Sequence, residues 1–271
     1  MTESETDYAR LLPFRDALFP TFKTDQAIAA SAIASSVLEC VSNGGVTTVV
    51  DVGCGTGEIL DTVRQHLVSK WGVDVTCVGV DCCSEEIGLA KEAYPRCQFV
   101  HAKVEDWIHA EAADRDVDRQ VDWHRVALLC VGHTLPHFGN TEQVLEDIAR
   151  LRPACIVADF HNQWDEVATQ LSLTNALPIR KSKEGRPNAD GTRNEFVLTT
   201  RRDNEDEDRV LRGIEMVTRD GPAPIGFWTS QLRRESQWFR EIERSGYTTR
   251  INLSYSAGYG PMRGWLFVRR C

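Results

Sequence analysis

The sequence predicts an α/β fold, with a mostly parallel β-sheet, helices on both of its faces and an added β-hairpin region. Three observations carry this. Short apolar runs alternate with amphipathic stretches between residues 46 and 165, and a glycine-rich turn joins the first run to the stretch that follows it. After residue 165 the alternation gives way to strand-like segments around a charged run. Continuous apolar strands imply burial on both sheet faces, the mark of parallel sheets. A chain of 271 residues, 42% hydrophobic and 26% charged, can bury a substantial core. No internal repeat or low-complexity linker divides it, which favours one domain with an elaboration.

Residues 24–42 read as a helix. Thr24 and Asp25 offer an N-cap, Ile33, Val37 and Val41 recur every four residues, and Asn43-Gly44-Gly45 ends it. Val46–Val52 is a β-branched strand, followed by the glycine-rich turn and a helix facing inward through Ile59, Leu60, Val63 and Leu67. Val73–Val80 is a second strand, and Ser84 caps a helix through Ala93. Cys97–Val100 and Val126–Val131 are the third and fourth strands. Thr141 caps a helix that turns Val144, Leu145, Ile148 and Leu151 inward, and Ala154–Asp159 is the fifth strand.

Glu195–Thr200 and Val210–Val217 flank the charged run Arg201 to Arg209 and are expected to pair as an antiparallel hairpin with a solvated tip. Leu232–Ser245 reads as a helix ended by Gly246, with Thr248–Tyr255 and Gly264–Arg269 as closing strands. The expected organisation is an N-terminal helical cap or lid (1–45), a ligand-binding core (46–165), a substrate-covering insertion with the hairpin (166–230), and a closing helix and strands (231–271).

The net charge of −9 is spread along the chain and disfavours a nucleic-acid partner. No apolar run reaches membrane-spanning length, and the acidic, polar stretch Met1 to Asp7 reads as neither a signal nor a transit peptide. Nine cysteines, an odd number with no CxxC pair, argue against a disulfide framework or a zinc ribbon. Free thiols in a cytoplasmic, reducing compartment are expected, and Cys77, Cys97, Cys130 and Cys155 serve as small core residues.

The strongest motif is Val49-Val50-Asp51-Val52-Gly53-Cys54-Gly55-Thr56-Gly57, which leaves a strand and enters a helix. A helix N-terminus behind such a loop presents unpaired N–H groups to an anionic ligand group. A dinucleotide-binding loop wants Gly or Ala where this chain has Glu58, and a carboxylate there would repel a pyrophosphate. With Asp51, Gly53, Gly55 and Gly57 in place, the motif resembles the D-x-G-x-G-x-G of the class I S-adenosylmethionine (SAM)-dependent methyltransferases. The resemblance implies their Rossmann-like fold with a seven-stranded sheet, and a loop that includes Cys54 around the methionine end of SAM. It also implies a carboxylate on the ribose hydroxyls at Asp81, beside Cys82, and a place for adenine at Glu105-Asp106-Trp107. A carboxylate is chemically suited to a diol, since it accepts two hydrogen bonds at once. The product would be S-adenosylhomocysteine.

Three stretches are more closely similar to the glycine N-methyltransferase branch of that superfamily. These are Asp106-Trp107, Cys130-Val131-Gly132-His133-Thr134-Leu135-Pro136-His137-Phe138, and His161-Asn162-Gln163-Trp164-Asp165. The likeness covers roughly residues 46–165 and implies that Cys130 lies beside the cofactor. It also places His133, His137, His161, Asn162 and Trp164 around the acceptor. The chain departs from the branch at two places: His133 stands for an Asn, and Asn162 for the Arg that holds a substrate carboxylate. Arg grips a carboxylate with two charged bonds and Asn does not, so a small molecule other than glycine is expected as acceptor. N-methylation is the first reading; O- or C-methylation of a natural-product intermediate is the alternative.

His133 and His137 sit past the fourth strand, on the ligand-binding side of an open α/β sheet, and are the candidate general bases. Their spacing invites a metal reading, but Pro136 interrupts a regular helix and no HExxH glutamate is present, so no metal is expected. Phe196, Phe227 and Trp228 are read as core ahead of pocket lining, and Tyr8, Phe14, Phe19 and Phe22 as candidate lid residues. A homo-oligomer stays open. Two other function classes stay open: a binding partner that has lost turnover, and a nucleotide-cofactor oxidoreductase.

Overall fold

In the computed structural model, the described residues are 22–113, 121–132, 134–161, 179–187, 193–202, 209–218, 221–231, 235–257 and 260–269. Helix α1 (Phe22–Gly44) precedes β1 (Thr48–Val52), α2 (Glu58–Trp71), β2 (Thr76–Asp81), α3 (Ser84–Ala93), β3 (Gln98–His101) and α4 (Val104–Ala113). Then come β4 (Val126–Cys130), α5 (Thr141–Leu151) and β5 (Cys155–His161). The remaining elements are β6 (Ile179–Pro187), β7 (Arg193–Arg202), β8 (Arg209–Thr218), β9 (Gly221–Gln231), α6 (Glu235–Arg244), β10 (Tyr247–Ala257) and β11 (Gly260–Arg269).

Seven strands form one sheet in the order β3-β2-β1-β4-β5-β11-β10, with β1, β2, β3, β4 and β5 parallel and β11 antiparallel to both neighbours. This is the Rossmann-like architecture expected from the sequence. Val49, Val50, Val52, Ala127, Leu128 and Leu129 are fully buried because helices cover both faces. One core packs α1, α2 and α3 through Ile33, Leu60, Val63 and Ile87. The other packs α4, α5 and α6 through Ile108, Ile148, Trp238 and Ile242. Each such side chain contributes about 1.5–3 kcal/mol by leaving water.

The helix boundaries carry two corrections. Asn140 rather than Thr141 caps α5, its side-chain oxygen accepting from the Gln143 N–H at 3.3 Å, while Thr141 is buried as the first helical residue. Cys83 holds the cap position of α3, and Ser84 begins the helix without capping it. The segment that carries Asp106 and Trp107 is the first turn of α4.

The hairpin of β7 and β8 lies within a separate four-stranded antiparallel sheet of order β6-β7-β8-β9. Two of its strands have no strand pattern in the sequence: β6 (IRKSKEGRP) lacks apolar alternation, and β9 (GPAPIGFWTSQ) is interrupted by Gly and Pro. Among the described residues, no helix is long and apolar enough to cross a membrane.

Candidate active site

Parallel pairing brings the ends of β1, β2, β4 and β5 together at one edge of the sheet, which is where open α/β sheets bind ligands. Asp51 on β1 lies in register with Gly79 on β2 and Leu129 on β4, and Cys130 on β4 with Ala158 on β5. Three aspartates stand there: Asp51, Asp81 and Asp159.

The turn after β1 is fixed to β2. The N–H groups of Gly53 and Cys54 donate to Val80 O at 2.8 and 3.1 Å, and Gly57 N–H donates to Cys54 O at 2.9 Å. Gly55 N–H donates to Asp81 Oδ2 at 2.9 Å, and Cys83 N–H to Asp81 Oδ1 at 2.9 Å. Asp81 thus closes the loop and retains acceptor capacity on both oxygens, since a carboxylate has about four acceptor positions. Gly53, Gly55 and Gly57 have φ of 73°, 53° and 75°. Gly57 also meets a packing limit, since a Cβ there would stand 2.6 Å from the Phe99 ring.

Electrostatics give this edge a single sign. Burial, then Asp81 and Asp159, hold the Asp51 carboxyl well above its usual range. Burial raises Asp81, against the N–H donors of Cys83, Gly55 and Cys82. The Cys54 and Cys130 thiols are pushed up by burial first and by neighbouring carboxylates second. Both are buried, and a thiol held in its neutral form is a poor nucleophile. Asp51 Oδ1 is buried and lacks a hydrogen-bond partner. An orphaned acceptor with acidic neighbours beside an open-armed glycine loop suits a cation with N–H donors, and SAM carries a sulfonium and an ammonium. This acceptor set fits SAM.

Asp106 is exposed on α4, and Trp107 is half-buried with its ring 5.8 Å from Trp123. The Cys82 carbonyl lies 3.0 Å from His101 Nε2. His137 ends a single 3-10 turn, Leu135–His137, in which Pro136 is buried. His133, Asn162 and Trp164 lie outside the described residues, and His161 ends β5 opposite Met262.

The sequence reading passed over Asp159, Thr134, Glu86 and Gln231. Asp159 is 1% exposed and accepts from Gly132 N–H at 3.0 Å. Like Asp51, it lies near the C-terminal end of an apolar strand, but its partner is distant in sequence. The Thr134 hydroxyl donates to Val131 O at 2.5 Å, and its side chain fills the space beside Gly53. The Glu86 carboxylate stands over Gly55.

Residues 49–152 match the family model described as a methyltransferase domain. No curated protein matches the sequence. Among solved structures, the chain is similar to a SAM-dependent methyltransferase from Clostridium acetobutylicum, with TM-score 0.60, 9% identity, and 97% of this chain and 99% of that chain covered. It is similar to a SAM-bound amino pentose methyltransferase of calicheamicin biosynthesis from Micromonospora echinaspora, with TM-score 0.59, 12% identity and coverage of 90% and 92%. A sugar N-methyltransferase from a Streptoalloteichus species gives TM-score 0.52, 16% identity and coverage of 96% and 92%. Such likenesses show the fold, and the family match covers residues 49–152. Residues 49–152 match a methyltransferase domain, and the chain has the fold of the SAM-dependent methyltransferases it is similar to.

Proposed function

We propose that this enzyme transfers the methyl group of SAM to an amine on a small biosynthetic metabolite other than glycine, in the cytoplasm. The observation that carries the reading is the closure of the Asp51–Gly57 loop onto Asp81 beside the orphaned Asp51 oxygen. In this reading Gly53, Cys54, Gly55 and Gly57 wrap the methionine end, Asp51 and Cys130 line the pocket, and Asp81 with Cys82 takes the ribose. Asp106 and Trp107 take the adenine edge.

SAM supplies an activated methyl on a sulfonium, so the protein's task is alignment and desolvation. The amine lone pair forms the N–C bond as the S–C bond breaks, leaving a neutral sulfide in S-adenosylhomocysteine. The surplus proton leaves the acceptor nitrogen, and His137 or His133 is the group assigned to receive it. His161, Asn162 and Trp164 are assigned to the acceptor side. The glycine N-methyltransferase-like stretches support an amine acceptor, and Asn162 in place of an arginine argues against glycine. The names of two structural neighbours, an amino pentose methyltransferase and a sugar N-methyltransferase, support an amino sugar as the first class to try.

The test is S-adenosylhomocysteine release with SAM and amino sugars, phenols and glycine as separate acceptors. Turnover with an amino sugar and none with glycine is expected. Turnover with phenols alone would replace the amine reading by O-methylation, and turnover with glycine would overturn the argument from Asn162.

A further inference from the structure

Gly139 is held on both sides of its backbone by side chains from distant parts of the fold. Its N–H donates to Glu105 Oε1, on the first turn of α4, at 2.7 Å. Gln231 Nε2, at the end of β9, donates to the Gly139 carbonyl at 3.3 Å and to the Phe138 carbonyl at 3.4 Å. Gln231 is 7% exposed and Phe138 3%, and breaking hydrogen bonds at a buried site leaves the abandoned group to bear its desolvation cost. His137 directly precedes this pair, on one 3-10 turn whose own bonds are His137 N–H to Thr134 O and Phe138 N–H to Leu135 O. One 3-10 turn has little stability of its own, so its ends set its position. The Thr134 hydroxyl ties the first end to Val131 O, just past β4. The second end is Gly139.

We infer that Gln231 and Glu105 clamp Gly139 and thereby position His137 between α4 and the four-stranded sheet. Gln231 is then a positioning residue for methyl transfer, which rests on the reading that His137 faces the acceptor. The two sheets meet at this turn, since β9 packs against it. The clamp therefore sets the distance between the cofactor edge and whatever the added sheet covers.

Gln231→Met keeps the length and apolar bulk of the side chain while removing both donors. Glu105→Ala removes the acceptor, and Glu105→Gln keeps a carbonyl oxygen for Gly139. NMR on the full chain without cofactor follows the Gly139 amide exchange, the His137 ring Cε1–H resonance and the β4 amides. Gln231→Met and Glu105→Ala should each speed Gly139 exchange by about tenfold or more and move the His137 resonance, with β4 protection unchanged and Glu105→Gln close to wild type. Gln231→Met should bind SAM within about twofold of wild type by calorimetry. Unchanged Gly139 exchange and His137 resonance in both disruptive variants would overturn the clamp, as would uniform acceleration that includes β4. If wild type takes up no SAM, the methyltransferase reading fails separately, because the exchange and resonance measurements need neither cofactor nor acceptor.

Discussion

The Gly55 amide donates to Asp81 Oδ2 at 2.9 Å, so the carboxylate that ends β2 also closes the glycine loop that follows β1. Asp81→Ala removes that closure together with the assigned ribose contact. SAM affinity should fall by on the order of 1.5–3 kcal/mol, the range for hydrogen bonds to charged groups. Asp81→Asn keeps one acceptor oxygen and should lose less. Calorimetry giving equal SAM affinity in wild type and a folded Asp81→Ala variant would remove Asp81 from the site.

Asp51 ties stability to pH. Its folded-state carboxyl lies well above the ordinary value of 3.8 because of burial, then Asp81 and Asp159. Such a group holds more protons folded than unfolded, so it costs no stability below its ordinary value and an increasing amount as pH rises toward the raised value. Asp51→Asn removes this dependence. Without SAM, the variant should gain stability relative to wild type as pH rises from 4 through that window, while its SAM affinity falls. Denaturant unfolding at a series of pH values checks it; a pH-independent difference would contradict the assignment.

Much of the fold around this candidate site was legible because its signals are local. A β-branched run ending in Asp51 and three spaced glycines specify a strand, a tight turn and a close approach without long-range information. Asp159 and Gln231 were not legible, since their roles come from Gly132 and Gly139, 27 and 92 residues away. Strand β9 was hidden for a similar reason: its Gly and Pro residues contradict strand propensity, and pairing with β8 overrides them. Helix α4 escaped because only Val104 and Ile108 are buried on it, too sparse an apolar stripe to show a period.

The loop glycines should separate by what surrounds them. Gly57→Ala combines positive φ with a Cβ 2.6 Å from the Phe99 ring and should cost on the order of 2–4 kcal/mol of folding stability. At Gly55 the nearest atom is Glu86 Oε2 at 3.0 Å, the end of a side chain that can swing aside. Gly55→Ala should therefore cost only the left-handed strain, about 1–2 kcal/mol. Equal destabilisation of the two variants in urea would show that Phe99 does not set the limit at Gly57.

His137→Asn should slow single-turnover methyl transfer by about 100-fold or more if the imidazole accepts the proton, with SAM affinity nearly unchanged. The rising limb of the pH–rate profile should vanish with it. A smaller loss confined to acceptor binding, with the limb retained, would make His137 an orienting group instead.

The most direct measurement is a SAM titration of wild type and Gly55→Val, with folding of the variant checked by circular dichroism. A β-branched side chain at a φ of 53° blocks both the turn and the ligand's approach. Wild type should take up one SAM per chain, and the folded variant should lose affinity by on the order of 100-fold or more, about 2.7 kcal/mol. Equal SAM affinity in the two proteins, or protection of wild type by NAD and not by SAM, would contradict SAM binding at the β1–α2 loop.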